Sequence, residues 1–442
     1  MDLTTTTWMA TTRSAAAVFG LLLVSVASGS GRARADLPEM DGVPTAAPEE
    51  VGLSSARLER LDQAMQAYVD RGDVAGVVSL VARRGKVVHF SAFGDRDIDA
   101  HAAMTHDAIF RIASMTKPIA SVALMTLYEE GHFQLRDPIA KWLPEYAEME
   151  VASPATYQEL GRGRYKTVAA SGSITVQQLL THTAGLPNTY RGITKPDFDE
   201  IASPRQSGDT IAAFATRLAT LPLNFHPGDA WEYGRATDLV GRLVEVMSGR
   251  PFDQFLQEQV FEPLGMSDTH FYLPATKLDR FAGLYRPDGT KGLVLTEGPT
   301  ANSRFVREPH SYFSGAGGLV STARDYFRFH QMMLNGGELD GVRILGRKTV
   351  ELMTMNHIGD KEIWLIGPGH GFGLGYAVVD DPGAAAMPYS VGSYFWWGAF
   401  NTTFWVDPRE ELIGILMTQL RPYTHLNIRQ DLATLAYQAI VD

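Results

Sequence analysis

The sequence predicts an α/β (α+β) protein: an antiparallel β-sheet made from both chain ends and flanked by helices, with a mainly helical region inserted between them. Three observations carry this. β-Rich runs cluster at the two ends, "GVVSLVARRGKVVHFSAFG" early and "TTFWVDP" with "ELIGILMT" late. A helical pattern lies outside each set. The middle, about 114–309, reads mostly with helical periodicity. The α/β part is then about 50–113 and 310–442. Its 442 residues give ample material for a core.

The elements follow in order. Residues 1–35 read as a signal peptide: Arg13, an apolar run over 15–27 too short to span a bilayer, then "ARAD", with cleavage after Ala35. The protein proper is 36–442, and its expected location is secreted or periplasmic, with no integral membrane span in the mature chain. Residues 36–50 form an irregular leader. A helix over 54–71 puts Leu58, Leu61, Met65 and Tyr68 on one stripe. Arg84-Gly85 then turns a hairpin. "DLVGRLVEVMSG" ends at Gly249, and "PFDQFLQEQVFEPLGM" starts at Pro251 and stops at Gly265. The polar stretch 153–173 reads as a surface excursion. Asp407-Pro408 turns between the last two strands, and "IRQDLATLAYQAIV" closes the chain as a helix.

Composition narrows the function. The net charge is −11 with no basic block, so nucleic acid and anionic membranes are poor partners. Removal of the leader takes away three arginines and one aspartate and leaves the chain more acidic. There is no cysteine, which excludes disulfides, thiolate metal sites and a cysteine nucleophile. No H-E-x-x-H occurs and the twelve histidines are scattered, so no metal or cofactor is expected. The oligomeric state is not legible.

The chemistry centres on "RIASMTKPIA", with Ser114 three residues before Lys117. Residues so spaced share a helix face. Serine needs a base, and lysine is one only when burial or nearby positive charge lowers its pKa. The helix is apolar nearly all round, which buries Lys117. Pro118 fits a first turn, so Ser114 starts the helix, beside free backbone N–H groups. No G-x-S-x-G is present. Chance alone yields an S-x-x-K in about one such chain in two; the buried lysine separates this one from chance.

"FRIASMTKPIA" followed by "ITVQQLLTHTAGLP" resembles the serine β-lactamase and penicillin-binding-protein superfamily, in particular the class C-like (family VIII) carboxylesterases. The likeness runs from about Val51 to the C-terminal helix. It implies a β-lactamase/transpeptidase-like fold and an acyl-enzyme on Ser114. It also implies that Tyr233, in "AWEYGRATD", assists Lys117 and protonates the leaving group. Gly234 and Arg235 depart from the family's Y-x-N pattern, and Arg235 becomes a candidate pocket residue of open role. The family's K-T-G is absent. "SYFWWGAF" resembles the esterase W-G-G version, so Ser114 and Ala399 would form the oxyanion hole, with Gly398 allowing close approach. Trp396 is expected to face the pocket and Trp397 to pack in the core, since neighbours on a strand alternate. "SGAGGLVS" resembles the glycine-rich loop at the pocket's border, with Gly315 and Gly317. His182, in "LTHTAG", reads as a turn residue rather than a base.

The expected activity is a carboxylesterase on small or short-acyl esters; the substrate is a small-molecule ester or amide. Acyl transfer, weak β-lactamase action and D-amino-acid peptidase action are variants of the same chemistry. A non-catalytic penicillin-binding-like ligand sensor is the alternative of another class, and the intact Ser114, Lys117 and Tyr233 speak against it.

Overall fold

In a computed structural model, the protein is described over residues 37–442 apart from 39, 154–164, 203–207, 291 and 308–309. The expected signal peptide, and residues 154–164 of the polar excursion, lie outside the described residues. Leu37–Asp442 is one compact unit.

The elements that position the site are few. Helix α1 (Ser55–Asp70) buries Leu58, Leu61, Met65 and Tyr68, the stripe its spacing prescribes. Strands β1 (Gly76–Arg83) and β2 (Lys86–Asp97) form the hairpin. Arg84 and Gly85 both hold positive φ, 52° and 74°, as a two-residue turn requires. β3 (Ala102–Ala103) extends this edge. Helix α2 (Thr116–Glu129) is buried along nearly its whole length. Helix α3 (Ala236–Ser248) ends at Gly249, whose φ of 70° stops it. Helix α4 (Ala323–Leu334) is capped by Thr322, whose side chain accepts from the Asp325 N–H.

The chain then returns to the sheet through β4 (His370–Phe372), β5 (Ala377–Val379), β6 (Tyr394–Trp397), β7 (Thr403–Asp407) and β8 (Leu412–Thr418), and closes with helix α5 (Ile428–Tyr437). The eight-stranded sheet runs β4-β5-β6-β7-β8-β1-β2-β3. Its named pairings are antiparallel, and β1 joins the two chain ends by pairing with both β2 and β8. The fully buried β1, "GVVSLVAR", reads as a central strand covered on both faces.

The inserted region is less uniformly helical than its periodicity suggests. It also holds two short strand pairs, Glu150–Ala152 with Thr167–Ala169 and Leu284–Pro287 with Leu293–Glu297. Each strand has at most five residues, too few for alternation to stand out. The helix expected from Pro251 is regular only over Phe252–Leu256 and widens into a π turn over Gln257–Phe261.

Candidate active site

Ser114 sits in a 3₁₀ turn, Ala113–Met115, that feeds directly into α2. Ala113 just before it holds a positive φ of 44°, an uncommon state for a residue with a Cβ. The turn is held from behind: the Tyr326 hydroxyl of α4 donates to the Met115 carbonyl at 2.8 Å. Pro118 lies within the first turn of α2, where its missing N–H has no helical acceptor to satisfy.

One turn on, Lys117 is 3% exposed. Its Nζ lies 3.4 Å from Ser114 Oγ, donates to the Ala316 carbonyl at 2.8 Å, and sits 4.5 Å from the Tyr233 ring centre. Burial lowers its pKa to about 7; Asp238 opposes that fall and the Arg235 cation adds to it. At neutral pH a large share of Lys117 is therefore an amine.

Tyr233 lies three residues before α3 and is buried between Trp231, His182 and Trp396. Its hydroxyl accepts from Trp396 Nε1 at 3.1 Å and has the Ser114 side chain beside it. Burial pushes its pKa up to about 12, against the lowering effect of the Ser114 and Trp396 side chains and the nearby Arg235. It stays a phenol at neutral pH.

Gly398 explains how β6 and β7 reach the serine. A Cβ there would stand 2.5 Å from the Ile112 carbonyl oxygen, so only glycine lets the strand end lie against the Ser114 turn. Ala399 is thereby packed against Ala113. Among the described residues, no group accepts from the backbone N–H of Ser114 or of Ala399.

These residues open on a cavity of about 220 Å³ lined by Ser114, Tyr233, Trp396, Trp397 and Ala399 together with Tyr190, Leu365 and the loop 421–424. Trp396 turns its indole N–H to Tyr233 and lines the cavity. Trp397, at the end of β6, is half-buried: it packs against the core and also lines the same cavity. Strand alternation lapses where the strand ends.

Arg235, Gly315 and Gly317 stand away from the cavity lining. Arg235 turns to Asp238 and donates to the Tyr312 hydroxyl at 3.0 Å. Burial works against its charge, yet Asp238 and Tyr312 hold it above its ordinary value. The glycine-rich loop forms a wall behind the lysine instead. A Cβ on Gly315 would stand 2.4 Å from the Thr237 carbonyl oxygen, and one on Gly317 would sit 3.4 Å from the Ala113 backbone. Asp238 fastens this loop by accepting from Ser314 Oγ at 2.7 Å and the Ala316 N–H at 3.0 Å. His182 is a turn residue with φ 58°, outside the cavity lining; burial, with the charge of Lys117 beside it, takes its pKa well below the usual value.

Several contributors, among them Asp238, Arg421, Leu365 and Tyr190, were missed. Asp238 had a sequence signal, an acid within the apolar pattern "TDLVGRLVEV". Arg421 had none: it comes from the loop after β8, and no periodicity ties that loop to Ser114.

The fold and this constellation define a class, the serine hydrolases built on the β-lactamase fold. The chain belongs to the beta-lactamase family, whose model matches residues 61–438. It is 36% identical over 369 residues to protein Rv1367c of Mycobacterium tuberculosis, covering 80% of this chain and 88% of that one. It is 31% identical over 403 residues to esterase EstB of Burkholderia gladioli, covering 84% and 93%. Among solved structures, it is similar to EstCE1, described as a hydrolase with promiscuous acyltransferase activity, with a TM-score of 0.72 and 26% identity over 86% of this chain and 98% of that one. No described helix is long and apolar enough to cross a membrane.

Proposed function

We propose that the protein is a carboxylesterase that hydrolyses small, short-acyl esters through an acyl-enzyme on Ser114. The observation that carries this is the buried Lys117 amine, 3.4 Å from Ser114 Oγ and shifted to about 7. Neutral Lys117 takes the Ser114 proton as Oγ attacks the ester carbonyl. The N–H groups of Ser114 and Ala399 receive the oxyanion. Tyr233, a phenol with a proton to give, delivers it to the departing alcohol and is recharged from Lys117. Water then attacks the acyl-enzyme with the roles reversed. The likeness to an esterase supports the substrate class, and the 220 Å³ cavity suits a short acyl group.

Acyl transfer is the second reading, favoured by the likeness to EstCE1. It needs only an alcohol or amine that outcompetes water. The leader reading adds export to the periplasm or medium, checked by N-terminal sequencing of the exported protein for a start at Asp36.

The experiment is a panel of esters, amides and β-lactams on the protein and its Ser114→Ala variant, with and without added alcohols. A fluorophosphonate adduct on Ser114, seen by mass spectrometry, and ester turnover are expected. No adduct and no turnover would favour a ligand-binding shell.

A further inference from the structure

Behind Trp397 lies a second cavity of about 250 Å³. Trp397 and Leu365 line both it and the cavity at Ser114. The geometry of β6 explains the shared wall. The Trp397 indole stacks on Trp396, ring centres 4.6 Å apart and 25° from parallel, and lies near-parallel to Phe395 at 6.4 Å, while the Trp396 N–H goes to Tyr233. The Trp397 indole and Leu365 thus stand between the two spaces.

The second cavity is a place for an apolar ring. Leu365, Phe395, Trp397 and Met387 give it aliphatic and aromatic faces, His370, Thr403 and Gln430 add neutral polar groups at its border, and no acid lines it. Its one arginine, Arg429, is already spread over the rings of Trp397 at 5.0 Å and Tyr423 at 4.8 Å, which braces the shared wall from the α5 side. Tyr423 in turn lines the cavity at Ser114. In size the space suffices for a phenyl group and its linker, since about 150 Å³ holds benzene.

We propose that this cavity is a second subsite of the same active site, which takes a neutral, ring-bearing apolar group from one side of the scissile ester, with Trp397 as the partition beside which the substrate passes. The proposal rests on the esterase reading and extends it: the group at the reacting carbonyl is small, and the remote group is bulky.

The test uses Met387→Trp and Ala385→Trp, each of which fills the second cavity. An acyl arm compares p-nitrophenyl 3-phenylpropionate with p-nitrophenyl acetate. An alcohol arm compares 4-biphenylyl acetate with phenyl acetate. Within each arm, the kcat/KM ratio of ring-bearing to small ester is taken for variant and parent, which cancels the intrinsic reactivity of the esters. We expect the ratio to fall at least tenfold in one arm, and that arm identifies the side of the ester that enters. The parent should also show a lower KM for the ring-bearing ester of that arm. Ratios within twofold of the parent in both arms for a folded variant, or equal KM values for the parent in both arms, would overturn the subsite while the esterase reading stood. A parent that turns over none of the four esters would overturn both.

Discussion

Trp396 Nε1 donates to the Tyr233 hydroxyl at 3.1 Å, and Tyr233 lines the same cavity as Ser114. The indole is thus placed on the group assigned to protonate the leaving alcohol, and its N–H pulls that phenol's pKa down. Trp396→Phe keeps an aromatic ring and removes the donor. Turnover should fall about tenfold, with KM nearly constant, because the lost contact acts on proton transfer rather than on binding. Tyr233→Phe removes the proton itself and should cost about 10²–10⁴-fold in kcat. Equal turnover in Tyr233→Phe would remove that residue from the mechanism.

Ser114→Ala should abolish ester hydrolysis while leaving folding near that of the parent, since the side chain is half-buried and small. Lys117→Ala should lose 10²–10⁴-fold. Retention of more than about a tenth of the rate would show that lysine is not the principal base.

The pH profile follows from the two shifts. Lys117 works as an amine, so kcat/KM should rise through about pH 7 and level off above it. Tyr233 works as a phenol, so the plateau should last until it ionises near 12 or the protein unfolds. A profile already flat at pH 5 would contradict the lysine assignment.

The same shift has a stability consequence. Unfolded, Lys117 titrates near its ordinary 10.5; folded, burial holds it near 7. Between those values the unfolded chain binds more protons, so stability from this group rises with pH across that window. Lys117→Met fits an apolar pocket and removes the burden. Its Tm should exceed that of the parent by roughly 2 °C or more at pH 6, and by less at pH 10. Equal gains at both pH values would mean that the charge is not the cause.

The sequence exposed those parts of the site that local geometry sets. Ser114 and Lys117 share a face through helical spacing alone, whereas Tyr233 is placed by the family resemblance, since no local spacing ties it to Ser114. The sheet was visible because β1 and β8 are near-continuous apolar runs. Arg235 misled because spacing gives a side chain's place but not its direction: Asp238, one turn on, captures the guanidinium. Trp397 packs against the core but also borders the cavity, which alternation along a strand does not reveal for a residue at the strand's end. Arg421 and Leu365 could not be seen, as long-range packing alone brings their loops to Ser114.

Arg421 bears on β-lactams. These compounds acylate a serine but carry a carboxylate that must be held. Trp396 offers one N–H there and no charge, and that N–H is spent on Tyr233. Arg235 is paired with Asp238. Arg421 remains: it lines the cavity, and among the described residues no carboxylate pairs with it. It is exposed, so solvent weakens its hold on an anion. A well-formed charge-assisted hydrogen bond contributes about 1.5–3 kcal/mol, or roughly tenfold to a hundredfold in acylation, and an exposed one less. Short p-nitrophenyl esters should therefore be turned over well, and nitrocefin and penicillins weakly or not at all. The check is kcat/KM for nitrocefin and p-nitrophenyl butyrate on one preparation of the parent, of Arg421→Ala and of Arg235→Ala. Any lactam turnover should vanish in Arg421→Ala and persist in Arg235→Ala. If nitrocefin is the better substrate of the parent, the esterase assignment is wrong. If Arg235→Ala alone loses the lactam, the guanidinium that binds the carboxylate is the one now seen turned away from the cavity.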